Sequence, residues 1–386
     1  MQMSPSKCGG DSGPEGSAKR PSRVRRRLGP GGTLKGVDAS PIPAPEANSW
    51  SHELYGLAEV RAALGLALGY GPGQKEAHRA WDGLDPDAGT GDTEHQGRLR
   101  AILAAGERSR WRQLAAPSPS THDAIGALAA RAPHFDALAT LVRTNVRAAL
   151  NMAVPTFLAP VLLLGRPGVG KTWFLSCLGR VLGLPFRAYT MSSSTLGEGV
   201  SGAHPSWRNA APGLIAKTLL QERLANPVVF VDELDKAQPH FHNSDPYRPF
   251  YALLEPAGAK MFTDEYLGFA IDASRVLWVL AANDASALPD AILDRLTVIE
   301  VPEMTQEQRA IVAESLYAEA NGDRRQFFEP TPSRSVLDRL ALLSPRSARL
   351  AVEHAMARAA ADGRRELRED DVRPRPSRAP LRMGFR

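Results

Sequence analysis

Cysteine is almost missing from this chain: among 386 residues there are two, Cys8 and Cys177. Two thiols so far apart build neither a disulfide framework nor a zinc cage, and their scarcity fits a reducing compartment. Long hydrophobic runs are missing as well. No stretch approaches the roughly 18 consecutive apolar residues of a membrane span, and Met1 to Gly16 lacks the apolar core of a secretion signal. The expectation is a chain with no membrane partner and a cytoplasmic location. A strong excess of one charge sign is also lacking, with 47 Lys and Arg against 42 Asp and Glu. Together with 43% hydrophobic residues, that balance excludes a wholly disordered chain or a coiled-coil rod. No internal repeat is found.

The charge that exists is unevenly placed. Residues 1–49 hold eight Lys or Arg against four Asp or Glu, including Arg23, Arg25, Arg26 and Arg27. The same segment has 22 Gly, Pro or Ser and five Leu, Ile or Val, too little apolar surface to offset the entropy of ordering. It reads as a disordered basic arm, either a solubilising leader or a nucleic-acid contact without interleaved aromatics. Residues 50–130 read as an accessory region. There Leu54, Leu57, Val60, Leu64 and Leu68 mark a helix over His52–Leu68, and Leu99, Ile102 and Leu103 begin a second one running toward Leu114. Pro117 to Ser120 closes it.

From residue 131 to 302 the pattern changes to alternating strand and helix. Phe135–Leu150 is helical, and strands are expected at 161–164, 186–190, 228–231, 276–281 and 297–301, with a helix at 213–224. Such alternation implies an α/β fold with a parallel sheet. Residues 303–373 then read as a small α-helical domain with helices at 305–321, 333–343 and 347–361, followed by a tail over 374–386. Thr305 and Gln308 stand at capping-box spacing.

The chemistry begins where the first core strand ends. Gly165, Arg166, Pro167, Gly168, Val169, Gly170, Lys171 and Thr172 match GxxxxGKS/T at every fixed position, between a strand and a helix. Glycines let successive backbone N–H groups curl around phosphates, the helix start adds its dipole, Lys171 reaches the β- and γ-phosphates, and Thr172 ligates Mg²⁺. The second strand-end motif is Val228–Glu233, four apolar residues and two carboxylates. Asp232 is placed to hold Mg²⁺ and Glu233 to polarise the attacking water. Asn283 ends a third strand, where its amide can orient the same water. Arg295 precedes the last strand and Arg346 opens a helix. Both read as arginines aimed at phosphate, Arg295 from one subunit into its neighbour and Arg346 within its own.

This order of motifs resembles an AAA+ ATPase, a P-loop NTPase followed by a helical lid. The segments Ser201–Lys236, Leu253–Asp284 and Leu288–Val301 are similar to the ATPase module of Lon proteases, over about 240 residues from His134 to Val372. The resemblance implies ATP and Mg²⁺ as cofactors, a homo-oligomeric ring of six subunits and protein remodelling or unfolding. It puts His134 and Phe135 beside the adenine, and Trp207 on an aromatic pore loop that grips a polypeptide substrate. Arg208 stands where the family favours an apolar residue. Trp173 is bulkier than usual after the P-loop. The resemblance ends with the lid, so no Ser-Lys peptidase activity is expected of this chain. Two other readings stay open: a DNA-associated loader or motor gripping phosphates through Arg23 to Arg27, and a slow nucleotide-dependent scaffold. His240, His242 and Asp245 read as a polar loop rather than a metal site, and Ser192 to Thr195 as a loop edge.

Overall fold

The computed structural model describes residues 50–67, 94–193, 198–237 and 245–372. Arg23, Arg25, Arg26 and Arg27, the tail over 374–386, and the histidines His240 and His242 lie outside the described residues. In chain order the elements are β1 (Ser51–Glu53), α1 (Leu57–Ala67), α2 (Glu94–Ala104), β2 (Trp111–Gln113), α3 (Pro119–Arg131) and α4 (Asp136–Met152). Then come β3 (Val161–Leu164), α5 (Lys171–Leu182), β4 (Phe186–Thr190), α6 (Leu214–Gln221), β5 (Val228–Asp232), β6 (Phe262–Thr263) and β7 (Ala270–Ile271). They are followed by β8 (Leu277–Ala282), β9 (Thr297–Glu300), α7 (Gln306–Asp323), α8 (Arg334–Ala341) and α9 (Pro345–Ala361), with short single-turn helices between.

The centre is a five-stranded sheet in the order β4-β5-β8-β3-β9, parallel throughout. Its three inner strands read as continuous apolar runs because both faces are covered, whereas the edge strands β4 and β9 carry polar residues and stay partly exposed. Alternation divides the inner strands: Val161, Leu163, Val228, Phe230, Leu277, Val279 and Ala281 join one apolar cluster with α3, α4 and α5. Leu162, Val229, Val231, Trp278, Leu280 and Ala282 join the other, with α1, α2, α6 and the 247–273 segment. All five core strands fall within a residue or so of where the sequence puts them. Parallel strand ends share one edge of a sheet, so the residues after β3, β5 and β8 are brought together there, with β8 between the other two.

The accessory region departs from expectation. Ser51–Glu53 is a strand, antiparallel to β2, and the helix begins only at Leu57. The second helix stops at Ala104, because Gly106 turns the chain with φ 69° and Trp111–Gln113 then pairs with β1. Helical periodicity could not reveal a strand whose partner lies some sixty residues away. Where the sequence predicts only a break at Pro117 to Ser120, the structure starts the helix α3, with Ser118 and Thr121 bonding reciprocally at its start and Pro119 in the first turn. It packs with α4 and α5 rather than with α1 and α2.

Arg112 fixes the accessory region to the sheet domain. It is buried, and its guanidinium donates to the carbonyls of Leu219, Leu220 and Glu222 at 2.8–3.0 Å, the orphan acceptors at the C-terminus of α6. The lid helices α7, α8 and α9 enclose an apolar core of their own, around Tyr317, Val336, Val352 and Met356. Thr305 and Gln308 cap α7 reciprocally, at 3.1 and 3.2 Å, as their spacing predicts.

Candidate nucleotide site

The loop between β3 and α5 depends on its glycines. A Cβ on Gly165 would sit 3.0 Å from Val301 Cβ and 3.1 Å from its carbonyl oxygen, so a side chain there would crowd the residue that follows β9. Gly168 and Gly170 have φ 84° and 98°, the left-handed region that glycine enters without steric cost. Gly170 caps α5, leaving the first backbone N–H groups of that helix at the loop, where an anion is favoured. Arg166, Pro167, Gly168 and the Thr172 side chain are exposed, and Val169 is half-buried. Lys171 is buried, and its ammonium donates to Gly165 O at 2.7 Å. Burial lowers its pKa, while Asp232, Asp235 and Glu233 oppose that shift.

His134 and Phe135 lie behind this loop. His134 Nε2–H donates to Val169 O at 2.9 Å, and burial lowers the imidazole pKa, so the ring is neutral at pH 7. Phe135 is 1% exposed, with ring centroids 4.3 Å from His134 and 4.4 Å from Phe174. These two side chains support the loop from within the core.

At the end of β5, Asp232 Oδ1 accepts the backbone N–H of Glu233 at 2.9 Å. Glu233 has φ 56° and ψ 41°, a left-handed conformation that costs a non-glycine residue about 1–3 kcal/mol. That turn aims its carboxylate at the Ser192 hydroxyl and the Lys236 ammonium, both of which donate to it. Lys236 first and Ser192 second hold its pKa below the ordinary carboxylate range. Glu233 is thus ionised at neutral pH. Asn283 Nδ2 donates to Asp235 Oδ2 at 3.4 Å, so the end of β8 meets the turn after β5. Ser192, Asp235 and Lys236 were not singled out as site residues from the sequence. Ser192 follows β4, the neighbour of β5, so its proximity depends on strand order rather than on any local motif.

The structure therefore brings Gly165–Thr172, Asp232, Glu233 and Asn283 to one edge of the sheet. Arg295 is not joined to them. It follows the short helix Asp290–Leu293, donates to Ala291 O and pairs with Glu255 at 2.6 Å. Arg346 is exposed in the first turn of α9, and among the described residues no hydrogen bond or ion pair holds it. Trp207 is 51% exposed, in the loop between the short helix Glu198–Ser201 and α6, and Arg208 beside it is exposed too. The loop is anchored below Trp207 by Asp264, which accepts from Gly213, Tyr266 and Leu267 N–H at 2.8–3.0 Å. Burial raises the Asp264 pKa to about 6 against those three donors.

Residues 161–303 match the family described as "ATPase family associated with various cellular activities (AAA)". The chain carries an AAA domain of the P-loop ATPase kind. It is 36% identical over 147 residues to the peroxisomal Lon protease homolog 2 of Pichia angusta, covering 38% of this chain and 16% of that one. It is 33% identical over 166 residues to the Lon protease of Halothermothrix orenii, covering 43% and 21%. With the peroxisomal Lon protease homolog 2 of Danio rerio it shares 31% over 201 residues, covering 51% and 24%. The chain thus spans at most about a quarter of the length of these relatives. Among solved structures, a Thermotoga maritima RuvB mutant is similar at 15% identity and TM-score 0.43, over 61% of this chain and 67% of that one.

The donor set of the AAA domain fits a Mg²⁺-nucleotide. It offers helix-start amides, a buried ammonium, a threonine hydroxyl and an aspartate at the end of β5, one strand removed from β3. Mg²⁺ ordinarily takes one or two protein oxygens and completes its shell with phosphates and water, so a dedicated protein cage is not required. No helix among the described residues is long and apolar enough to cross a membrane.

Proposed function

We propose that the chain binds Mg²⁺-ATP at Gly165–Thr172 and hydrolyses it. The reading is supported chiefly by an ionised Glu233 turned out on a left-handed residue at the strand end next to β8, which flanks the P-loop strand. ATP and its Mg²⁺ supply the transferable phosphoryl group. Amides of the loop and Lys171 bind the phosphates, and Thr172 with Asp232 hold the ion. Asn283 orients water, and Glu233 accepts its proton once its carboxylate leaves Ser192 and Lys236. His134 and Phe135 shape the adenine side by fixing the loop. Arg346 reaches the phosphates from the lid of the same subunit, and Arg295 serves a neighbouring subunit in a hexameric ring. The exposed Trp207 supports a polypeptide substrate, threaded and remodelled by the ring, as the resemblance to Lon implies.

The deciding experiment pairs two variants. Lys171→Ala loses nucleotide binding by about 2–5 kcal/mol, because a charge partner of buried phosphate is gone. Glu233→Gln keeps binding but slows turnover on the order of 10² to 10⁴, the range of a general base. Wild-type turnover in Glu233→Gln would refute the assignment of the base. Measuring the wild-type rate with unfolded protein, with DNA and with neither separates remodelling from a DNA-associated role, and negligible turnover with tight binding would indicate the scaffold.

A further inference from the structure

The lid and the sheet domain have separate apolar cores. Polar side chains join them, and several converge on one carboxylate. Trp173, the residue after Thr172, lies in the first turn of α5, and its indole N–H donates to Glu319 Oε2 on α7 at 3.0 Å. Arg131, at the end of α3, stacks its guanidinium over the Trp173 ring at 5.5 Å and reaches the same Oε2 at 3.7 Å. The Arg131 carbonyl accepts from Ser315 Oγ, one turn before Glu319 on α7, at 3.3 Å. On the other side, Arg349 approaches Glu319 Oε1 at 4.0 Å. Arg349 stands on α9 three residues after Arg346, and residues so spaced share a helix face.

One side chain of α7 therefore links the helix that begins at the P-loop to the helix that begins beside Arg346. The indole contact is charge-assisted and directional, and the ring under Arg131 is flat, so the pair constrains angle as well as distance. Neither Trp173 nor Glu319 belongs to the phosphate-binding set.

We propose that Glu319, clasped by Trp173 and Arg131, is a positioning residue that sets the lid helix bearing Arg346 over the P-loop and thereby sets nucleotide affinity. This rests on the nucleotide-site reading above. A bulky tryptophan directly after the P-loop threonine then has a purpose, because a smaller residue could not reach α7.

The test is a double-mutant cycle on the full chain, read by calorimetric titration with Mg²⁺-ADP and with a non-hydrolysable ATP analogue. Glu319→Ala weakens affinity roughly fivefold or more, the low end of coupling between sites, while the melting temperature hardly moves, since the lid core is untouched. In an Arg346→Ala background the same substitution adds nothing, because the residue being positioned is already absent. Trp173→Phe, which keeps a ring for Arg131 but removes the donor, gives a smaller loss of the same kind and serves as the second variant if Glu319→Ala fails to fold. Unchanged affinity in both variants, or losses that multiply with that of Arg346→Ala, overturns the proposal. Lys171→Ala is titrated alongside. If it binds like wild type, the nucleotide site itself is misassigned and the clasp falls with it; if it loses binding while Glu319→Ala and Trp173→Phe do not, the clasp alone falls.

Discussion

The nucleotide edge of the sheet and the seam where the accessory region docks use polar residues in opposite ways. At the edge, Glu233, Asn283 and Thr172 are exposed or half-buried, and Glu233 is held largely by Asp232 and Lys236, within three residues of it. At the seam, Arg112 is buried and bonds to backbone 107 to 110 residues away; Asp264, buried under the Trp207 loop, bonds to Gly213, 51 residues away, and to Tyr266 and Leu267 beside it. A polar group facing water can be replaced at little cost in stability, because water takes over its bonds. A buried one leaves partners unsatisfied when it goes. Substitutions at the edge should therefore change chemistry without unfolding the chain, and those at the seam should do the reverse.

The largest expected effect breaks the comparison most sharply if it fails. Arg295 is anchored by the Glu255 pair, a surface contact worth about 1 kcal/mol or less, so Arg295→Ala should melt close to wild type. If it acts on a neighbour's phosphates, hydrolysis falls on the order of 10³ to 10⁵ while ATP still binds. Mixing Arg295→Ala with Lys171→Ala subunits should restore part of the activity, since an intact loop in one meets an intact arginine in the other. No recovery in properly assembled mixtures removes the trans role.

Next in size is Arg112→Ala, expected to cost about 3 kcal/mol in denaturant unfolding, since it uncovers the carbonyl end of α6. Arg112→Lys should recover only part of that. A lysine is a point charge and cannot fork across three carbonyls. If nucleotide affinity of the folded fraction also falls tenfold, the seam and the edge are not independent.

Asp264 follows, with a signature in pH. Its carboxyl is raised to about 6 from 3.8 by burial. Between about pH 4 and 6 the folded chain keeps a proton that the unfolded chain has released, so stability from this group falls as pH rises through that window and is level above it. Asp264→Asn should remove that slope and cost about 1 kcal/mol at pH 7, because Gly213 N–H then faces an amide NH₂. Urea melts of both proteins at pH 4.5 and 7 make the comparison. An unchanged slope would place the proton elsewhere.

The same contrast explains what could be read in advance. The P-loop, the Val228–Glu233 strand and the Thr305–Gln308 cap were legible because each is contiguous, and its residue types are dictated by local backbone or by phosphate. The inner strands β3, β5 and β8 were legible because burial on both faces leaves unbroken apolar runs. Ser192 beside Glu233, Arg112 on α6 and Trp173 against Glu319 were not, since each contact is made by tertiary packing between distant segments. Ser51–Glu53 differs in a related way: Leu54 continues the spacing of the helix that follows, but its N–H donates to Arg110 O at 2.8 Å and it lies in neither helix nor strand. Pro119 after Ser118 is a helix-start signal in the sequence, but a proline cluster marks the end of one helix as readily as the start of the next.

The smallest expected effect sharpens the comparison from the other side. Trp207 is a large aromatic half in solvent, so by size alone its loss could resemble a core deletion of about 3–5 kcal/mol. Its loop, however, is closed by contacts that do not involve the indole. Gly202 N–H bonds Glu198 O at 2.7 Å, Ala203 N–H bonds Ala211 O at 3.1 Å, and Gly213 N–H bonds Asp264 at 2.8 Å. Trp207→Ala should therefore stay within about 0.5 kcal/mol of wild type, as surface substitutions do. Basal hydrolysis should also hold, because the P-loop, Glu233 and Asn283 sit at the other motif strands. What should disappear is stimulation of hydrolysis by an unfolded polypeptide. Thermal melts and ATPase assays with and without such a substrate separate the outcomes. A drop of several kcal/mol in stability would make Trp207 an anchor of its loop, and intact stimulation would move the polypeptide contact to another part of the ring.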